Sequence, residues 1–312
     1  MTAVLLRLDG DRAAAWLAPG GPGAARLGRA LDDSRADAVL IGAERVAGPA
    51  EQAVLTAPGL DPSVVATLLA HHTRRIGLVV TAAPQRDHPF NLARRVASLD
   101  HVSDGRAGWL VGDRDLRALG GPPVWTDHAL GTATTADAVT VVRELWRSWP
   151  ADAVVADHRR GVFTESHRIA HVDHRGAFDV AGPLPLPEGP QGEPVVLWWW
   201  TGGADSGPAD AVADALVVPG PGVVLAPGPR FVPVSGPGVC PPAGVDGVVV
   251  RLDDLPPEGL ADRLRDPRDA PAAPSTTLRR RLGLPDRAPT PPGAGRPFAP
   301  VPASAAGSGA TR

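Results

Sequence analysis

The chain has 312 residues, 43% of them hydrophobic and 21% charged, with a formal net charge of −3 at pH 7. That balance excludes the basic surface that nucleic-acid binding requires, and the lone Cys240 excludes an internal disulfide and a cysteine-based zinc site. No apolar stretch approaches the ~20 residues of a transmembrane helix, and "MTAVLLRLDGDR" lacks the basic segment and long apolar run of a signal peptide, so a soluble, cytoplasmic protein is expected.

In chain order, 4–8 reads as a short apolar strand, and 24–36 has helical spacing with Leu27 and Leu31 about one turn apart. "DAVLIG" (37–42) is a buried strand. Asp61-Pro62 opens a helix through about His72, with proline in its favoured first turn. "RIGLVVTA" (75–82) is a strand, Pro89 starts a helix through about Leu99, and "AGWLVG" (107–112) is a strand. "TTADAVTVVRELWRSW" (134–149) puts Val139, Val142, Leu145 and Trp146 on one helical face. "PVVLWW" (194–199), "ADALVV" (213–218), "RFVPVSG" (230–236) and "DGVVVRL" (246–252) complete the strands, and "PEGLADRLR" (257–265) is a last short helix.

Continuous Val/Leu/Ile strands alternating with helices imply a parallel sheet buried on both faces. About eight of them in this length point to an α/β fold of the TIM (β/α)8 barrel type, with a doubly wound sheet as the alternative. The dinucleotide fingerprint that would favour the latter is missing. In "GGPGAARLG" (20–28) Arg26 stands where the third Gly belongs, and the segment reads as a turn into a helix. Parallel neighbours need a crossover of ~10–12 residues or more, usually helical. Neither "PGPGVVLAPGP" (219–229) nor "PGVCPPAGV" (237–245) can hold a helix. The last quarter is therefore expected to lack two outer helices, or to fold 223–234 into a local hairpin. The expected organisation is a barrel domain over 1–267 with an insertion at about 150–193. A Pro/Ala-rich tail, 268–312, is expected to be disordered except for "TTLRRRLGLP" (276–285), which can dock.

"HPFNLARRVASLDHVSDGRAGW" (88–109), "VVRELWRSW" (141–149) and "GVFTESHRIAHVDHRGAFDVAGPLPLPEGPQGEPVVL" (161–197) carry a specific resemblance. They are similar to the bacterial-luciferase-like flavin monooxygenases, in the branch of the nitrilotriacetate, EDTA and long-chain alkane monooxygenases. The resemblance implies a TIM barrel that binds reduced FMN supplied by a separate NAD(P)H:flavin reductase. It also implies oxygenation of a small organic substrate with O2, a homodimer, and sites on the loops at the C-terminal ends of the barrel strands.

Carried over position by position, the resemblance picks out Thr81 at the end of the third strand as a residue that reaches the flavin edge. After "GRAGW" the branch continues Asn-x-Val-Thr-Ser, lining the flavin; here the positions read Leu110-Val111-Gly112-Asp113-Arg114. An anionic Asp113 beside a phosphate is unfavourable unless Arg114 or Arg117 pairs with it. The branch's Arg-Tyr pair before the next helix falls on Gly131 and Thr132, and Ala43 replaces an Asp at the end of strand two, with Glu44 next to it. The phosphate-holding Gln-Ala-Gly-Ser-Ser-x-x-Gly turn falls on "WWWTGGAD" (198–205). Thr201, Gly202 and Gly203 keep a hydroxyl and backbone donors there, and strand alternation sends one of Trp198 and Trp199 into the barrel. His88 is the candidate catalytic acid/base, with a helix cap as its structural alternative.

Other clusters carry less. His167, His171, Asp173 and His174 lack a companion carboxylate at a metal-motif spacing, so no metal is expected. Ser206 has glycine on one side only and does not form a nucleophile elbow. The leading expectation is an FMN-dependent monooxygenase. The alternatives are a non-catalytic paralogue serving as a structural or partner subunit, or a binder of a hydrophobic ligand through the tryptophans.

Overall fold

The computed structural model describes residues 3–18, 20–34, 36–46, 59–118, 123–202, 206–220, 228–234, 243–252, 276–287 and 296–297. The first half alternates strand and helix: β1 (Ala3–Leu8), α1 (Gly10–Leu17), α2 (Gly21–Asp33), β2 (Ala38–Ile41), α3 (Pro62–His72), β3 (Gly77–Ala82), α4 (Pro89–Ser103), β4 (Ala107–Val111) and α5 (Thr132–Trp146). Helix α1 was not expected from the sequence, although Ala13 and Leu17 lie one turn apart and both are buried. Asp61 caps α3 by accepting from the amides of Ser63 and Val64, and Pro62 takes the first helical position. The glycine-rich segment at 20–28 opens α2, with Gly20 at the left-handed φ of 71°. Helix α5 stops at Trp146, one turn short of the expected end.

Between α5 and the next barrel strand the chain makes short antiparallel pairs. β5 (Val154–Asp157) pairs with β6 (Val162–Thr164), and β8 (Asp173–Arg175) with β9 (Asp179–Ala181). β7 (Ala170–His171) pairs with the tail strand β14 (Arg296–Pro297). The barrel resumes with β10 (Val195–Trp199), α6 (Gly207–Val212), β11 (Ala215–Val217), β12 (Arg230–Val234) and β13 (Gly247–Arg251).

Eight parallel strands close in the order β1-β13-β12-β11-β10-β4-β3-β2. β12 lies parallel to both β11 and β13, which overturns the hairpin alternative for its residues: a hairpin would set neighbours antiparallel. Among the described residues no helix joins β11 to β12 or β12 to β13. The expected helix at 257–265 lies outside the described residues. No described helix is long and apolar enough to cross a membrane.

Strand alternation divides the core in two. Leu5, Leu40, Val79, Leu110, Leu197, Val217, Phe231 and Val249 fill the barrel, while Leu6, Val39, Leu78, Trp109, Val196 and Leu216 meet the helices. The segment 276–285 docks at the strand N-termini through α7 (Leu278–Arg281). The Leu278 side chain enters the barrel base against Gly77 and Gly108, where an added Cβ would come within 2.5 and 3.1 Å of it.

The base is held by ions that sequence separation hides. Asp214, just before β11, accepts from Arg143, Arg279 and Arg287 and from the Val196 amide. Glu193, just before β10, binds Arg143 and Arg147. Asp100 on α4 accepts from the amide and side chain of Gln191 and from the Ala107 amide. Arginine neighbours hold the Glu193 and Asp214 carboxyls below the usual range, against the opposing effect of burial. Asp100 has no such cation, and burial pushes it up to about 6.

Candidate active site

The C-terminal ends of the strands converge on the opposite mouth, where barrels of this kind carry their sites. The β1–β13 register sets Arg7 opposite Arg251. Asp9 accepts two hydrogen bonds from Arg7, at 2.7 and 3.0 Å, and one from Arg251 at 3.4 Å. Trp199 is the tryptophan that alternation turns inward, and the Arg7 guanidinium sits 5.6 Å above its ring. Glu44, in the turn after β2, accepts from the Gly10 amide at 3.2 Å and from Arg117 at 3.4 Å. Its second oxygen, Oε2, is buried with no partner. Burial and the neighbouring Asp9 push the Glu44 carboxyl up. Arg45 pairs with Asp115, whose amide donates to Gln85 Oε1 at 3.0 Å, locking the loops after β2, β3 and β4 together.

Thr81 reaches this mouth. It is 2% exposed, and its hydroxyl has no hydrogen-bond partner. At Gly112 an added Cβ would lie 2.5 Å from the Val46 side chain, so the glycine admits Val46 against β4. Among the described residues Asp113 makes no salt bridge with Arg114 or Arg117: Arg117 bonds Glu44, and the Arg114 charge favours the Asp113 carboxylate without a direct contact. Instead Asp113 Oδ2 accepts from the Thr132 hydroxyl at 3.2 Å, at the start of α5. Trp198 and Trp200 turn outward and are buried, each with its indole N–H unpartnered. Thr201 and Gly202 follow on the surface, Gly202 at the left-handed φ of 99°. Gly203 lies outside the described residues.

His88 caps α4. Its Nδ1 accepts from the Phe90 amide at 3.2 Å, which fixes the Nε2–H tautomer. Burial lowers its pKa, so the neutral ring is favoured and offers a hydrogen-bond donor at Nε2. It meets the exposed Trp125 edge-to-face at 5.4 Å, and Trp125 Nε1 donates to the Arg86 carbonyl. In the histidine-rich segment His174 bridges Asp137 (3.0 Å) and Glu144 (3.3 Å), tying the β8–β9 hairpin to α5. Among the described residues no group of three or more His, Cys, Asp or Glu could hold a metal ion.

The structure thus gathers Trp199 with Arg7, Asp9, Glu44 and Arg251, puts Thr81 beside Arg45 at the same end, and sets Asp113 with Thr132 and Trp198. Arg7, Asp9 and Arg251 were missed from the sequence. Their signal was an echo: Arg7-Leu8-Asp9 and Arg251-Leu252-Asp253 repeat the same triplet at the ends of two strands.

A closed parallel barrel with unsatisfied polar groups at its C-terminal mouth is a TIM barrel, and that mouth is the end that commonly carries small-molecule sites in this fold. Residues 12–206, more than half of the chain, match the family described as luciferase-like monooxygenase, and the chain belongs to that family. A pristinamycin IIA synthase subunit of Streptomyces pristinaespiralis is 35% identical over 267 residues, covering 83% of this chain and 87% of that protein. N-acetyl-S-(2-succino)cysteine monooxygenase of Bacillus subtilis (strain 168) is 34% identical over 162 residues, 51% of this chain. The matched part is 36% of that enzyme, so the chain spans about a third of its length. EDTA monooxygenase from Chelativorans sp. BNC1 shares the fold with a TM-score of 0.61 at 19% identity, over 91% of this chain and 99% of that one.

Proposed function

We propose that this chain is a flavin-dependent monooxygenase, or one barrel subunit of such an enzyme. It takes reduced FMN from a separate NAD(P)H:flavin reductase and oxygenates a small organic substrate in the cytoplasm. The observation that carries the reading is Thr81 Oγ1, a buried hydroxyl without a partner at the mouth of a luciferase-like barrel. Native proteins rarely leave such a group unsatisfied, and its absence of a protein partner fits a polar ligand atom there. Reduced flavin, when bound, supplies the electrons and the centre at which O2 reacts.

The chain's own residues supply the rest. Trp199 and Phe231 line the barrel beneath the mouth and exclude water. Thr81 positions the ring edge, and the Thr201–Gly202 turn offers a hydroxyl and backbone donors to the tail. Glu44, its carboxyl pushed up by burial and by Asp9, stands beside the mouth as a group for proton transfer, and His88 offers an N–H at Nε2. Support for a partner comes from the related proteins' names, one a synthase subunit and another, 37% identical over 142 residues, component A of nitrilotriacetate monooxygenase. The homodimer reading is supported by a groove of about 860 Å³ over α3 and α4, along which Val64, Leu68 and Val102 are exposed.

Anaerobic titration with reduced FMN tests the reading. Saturable binding is expected, followed by substrate-dependent O2 uptake when a flavin reductase and NADH are added. No binding at tens of micromolar would contradict it and leave the alternative of a non-catalytic partner.

A further inference from the structure

The start of α5 is a donor-rich niche. The helix is 15 residues long, and its N-cap residue, Gly131, has no side chain with which to cap the first turn. Its first-turn amides have no intrahelical acceptor and, with the helix dipole, favour an anion. The Thr132 hydroxyl points into the niche. Two buried indole N–H groups, Trp198 Nε1 and Trp200 Nε1, lie at the same barrel end without acceptors. The β4–β10 register sets Trp198 beside Val111, two residues before Asp113. Burial pushes the Asp113 carboxyl up, while Thr132, Thr135, the Arg114 charge and the Trp198 indole favour its ionised form.

We propose that Asp113 is a built-in anion: its carboxylate occupies this niche, so that the phosphate of an incoming flavin adds little to binding. The inference rests on the flavin reading above and concerns how the flavin's tail is held. Asp113 forms no ion pair among the described residues, and its Oδ1 has no partner. The Thr201–Gly202 turn begins three residues after Trp198, at the same end of the barrel. A phosphate dianion arriving at that turn therefore meets a carboxylate where an uncapped helix would otherwise attract it. Like charges in a partly buried site disfavour one another. A ligand held mainly by its ring suits a flavin that arrives reduced and leaves oxidised, because weak contacts to the tail keep exchange fast.

Oxidised FMN and riboflavin, titrated into the full chain at fixed ionic strength and read by flavin fluorescence, test this. The wild-type affinities are expected to agree within about threefold, and Asp113→Asn is expected to shift the preference toward FMN by about tenfold or more. Asp113→Ser, which also removes the charge, is expected to do the same. A wild-type preference for FMN above about tenfold, or an unchanged ratio in both variants, overturns the inference. If neither flavin binds any of the three proteins, the flavin reading itself fails and takes this inference with it.

Discussion

The two ends of the barrel treat buried carboxylates differently. At the base, both oxygens of Asp100, Glu193 and Asp214 accept hydrogen bonds. At the mouth, Asp9 and Asp115 are likewise satisfied, but Glu44 and Asp113 each leave one buried oxygen without a partner, and the Thr81 hydroxyl is alone as well. The pKa shifts follow that division only in part, because burial also pushes up Asp37 and Asp100 at the base. Glu193 and Asp214 are held low by arginines, whereas Glu44 and Asp113 are pushed up by burial. Asp100 departs from its neighbours because depth of burial outweighs its amide partners. Satisfied polar groups hold a fold; unsatisfied ones wait for a ligand or store strain. The base is therefore the structural end and the mouth the chemical one.

The sharpest way to break this comparison is at Asp214. Asp214→Ala leaves Arg143, Arg279 and Arg287 without their shared anion and is expected to cost about 3–5 kcal/mol, measured by urea unfolding. A loss below about 1 kcal/mol would show that the base network is dispensable.

Asp100→Asn is expected to cost about 1–3 kcal/mol at pH 7, because one carboxylate oxygen facing an N–H becomes a donor. It also carries a pH signature. The folded carboxyl titrates at about 6, against 3.8 for an ordinary aspartate, so the folded state takes up a proton first as pH falls. The wild type should gain on the variant between pH 7 and 4, on the order of 2 kcal/mol. Parallel stability curves for the two proteins over that window would refute the assignment.

At the mouth the expected effects move from stability to binding. Thr81→Val should leave the urea midpoint nearly unchanged, since the hydroxyl has no protein partner to lose. It should weaken flavin binding by about tenfold, on the order of 1.4 kcal/mol. Glu44→Gln is expected to be the mildest change, within about 1 kcal/mol of wild type. Because the folded Glu44 pKa is raised, the wild type should lose ground to this variant as pH rises through that pKa. A large loss of stability in either variant would make the mouth a structural network like the base.

Legibility in the sequence followed the range of the interaction. Barrel strands such as Gly77–Ala82 and Val195–Trp199 are apolar runs that declare themselves locally. Strand alternation also anticipated that one tryptophan of the triplet turns inward. The short, polar pairs between Val154 and Ala181 have too few residues to show a period. The base network was invisible because its partners are far apart in the chain: Arg143 and Asp214 are 71 residues apart. Thr81 and Asp113, named by the resemblance, lie toward the mouth end, but only the fold could show that Gly112 makes room for Val46. It also took the fold to show that the Asp113 carboxylate is hydrogen-bonded by Thr132, with Arg114 acting on it only through its charge.

Hydrogen–deuterium exchange with and without FMN tests the division most directly, because it reads both ends of the barrel at once. The account expects protection confined to the mouth, at 79–88, 110–114 and 198–202, with 191–195 and 276–285 unchanged. Protection at the base, or none anywhere under saturating FMN, would contradict it.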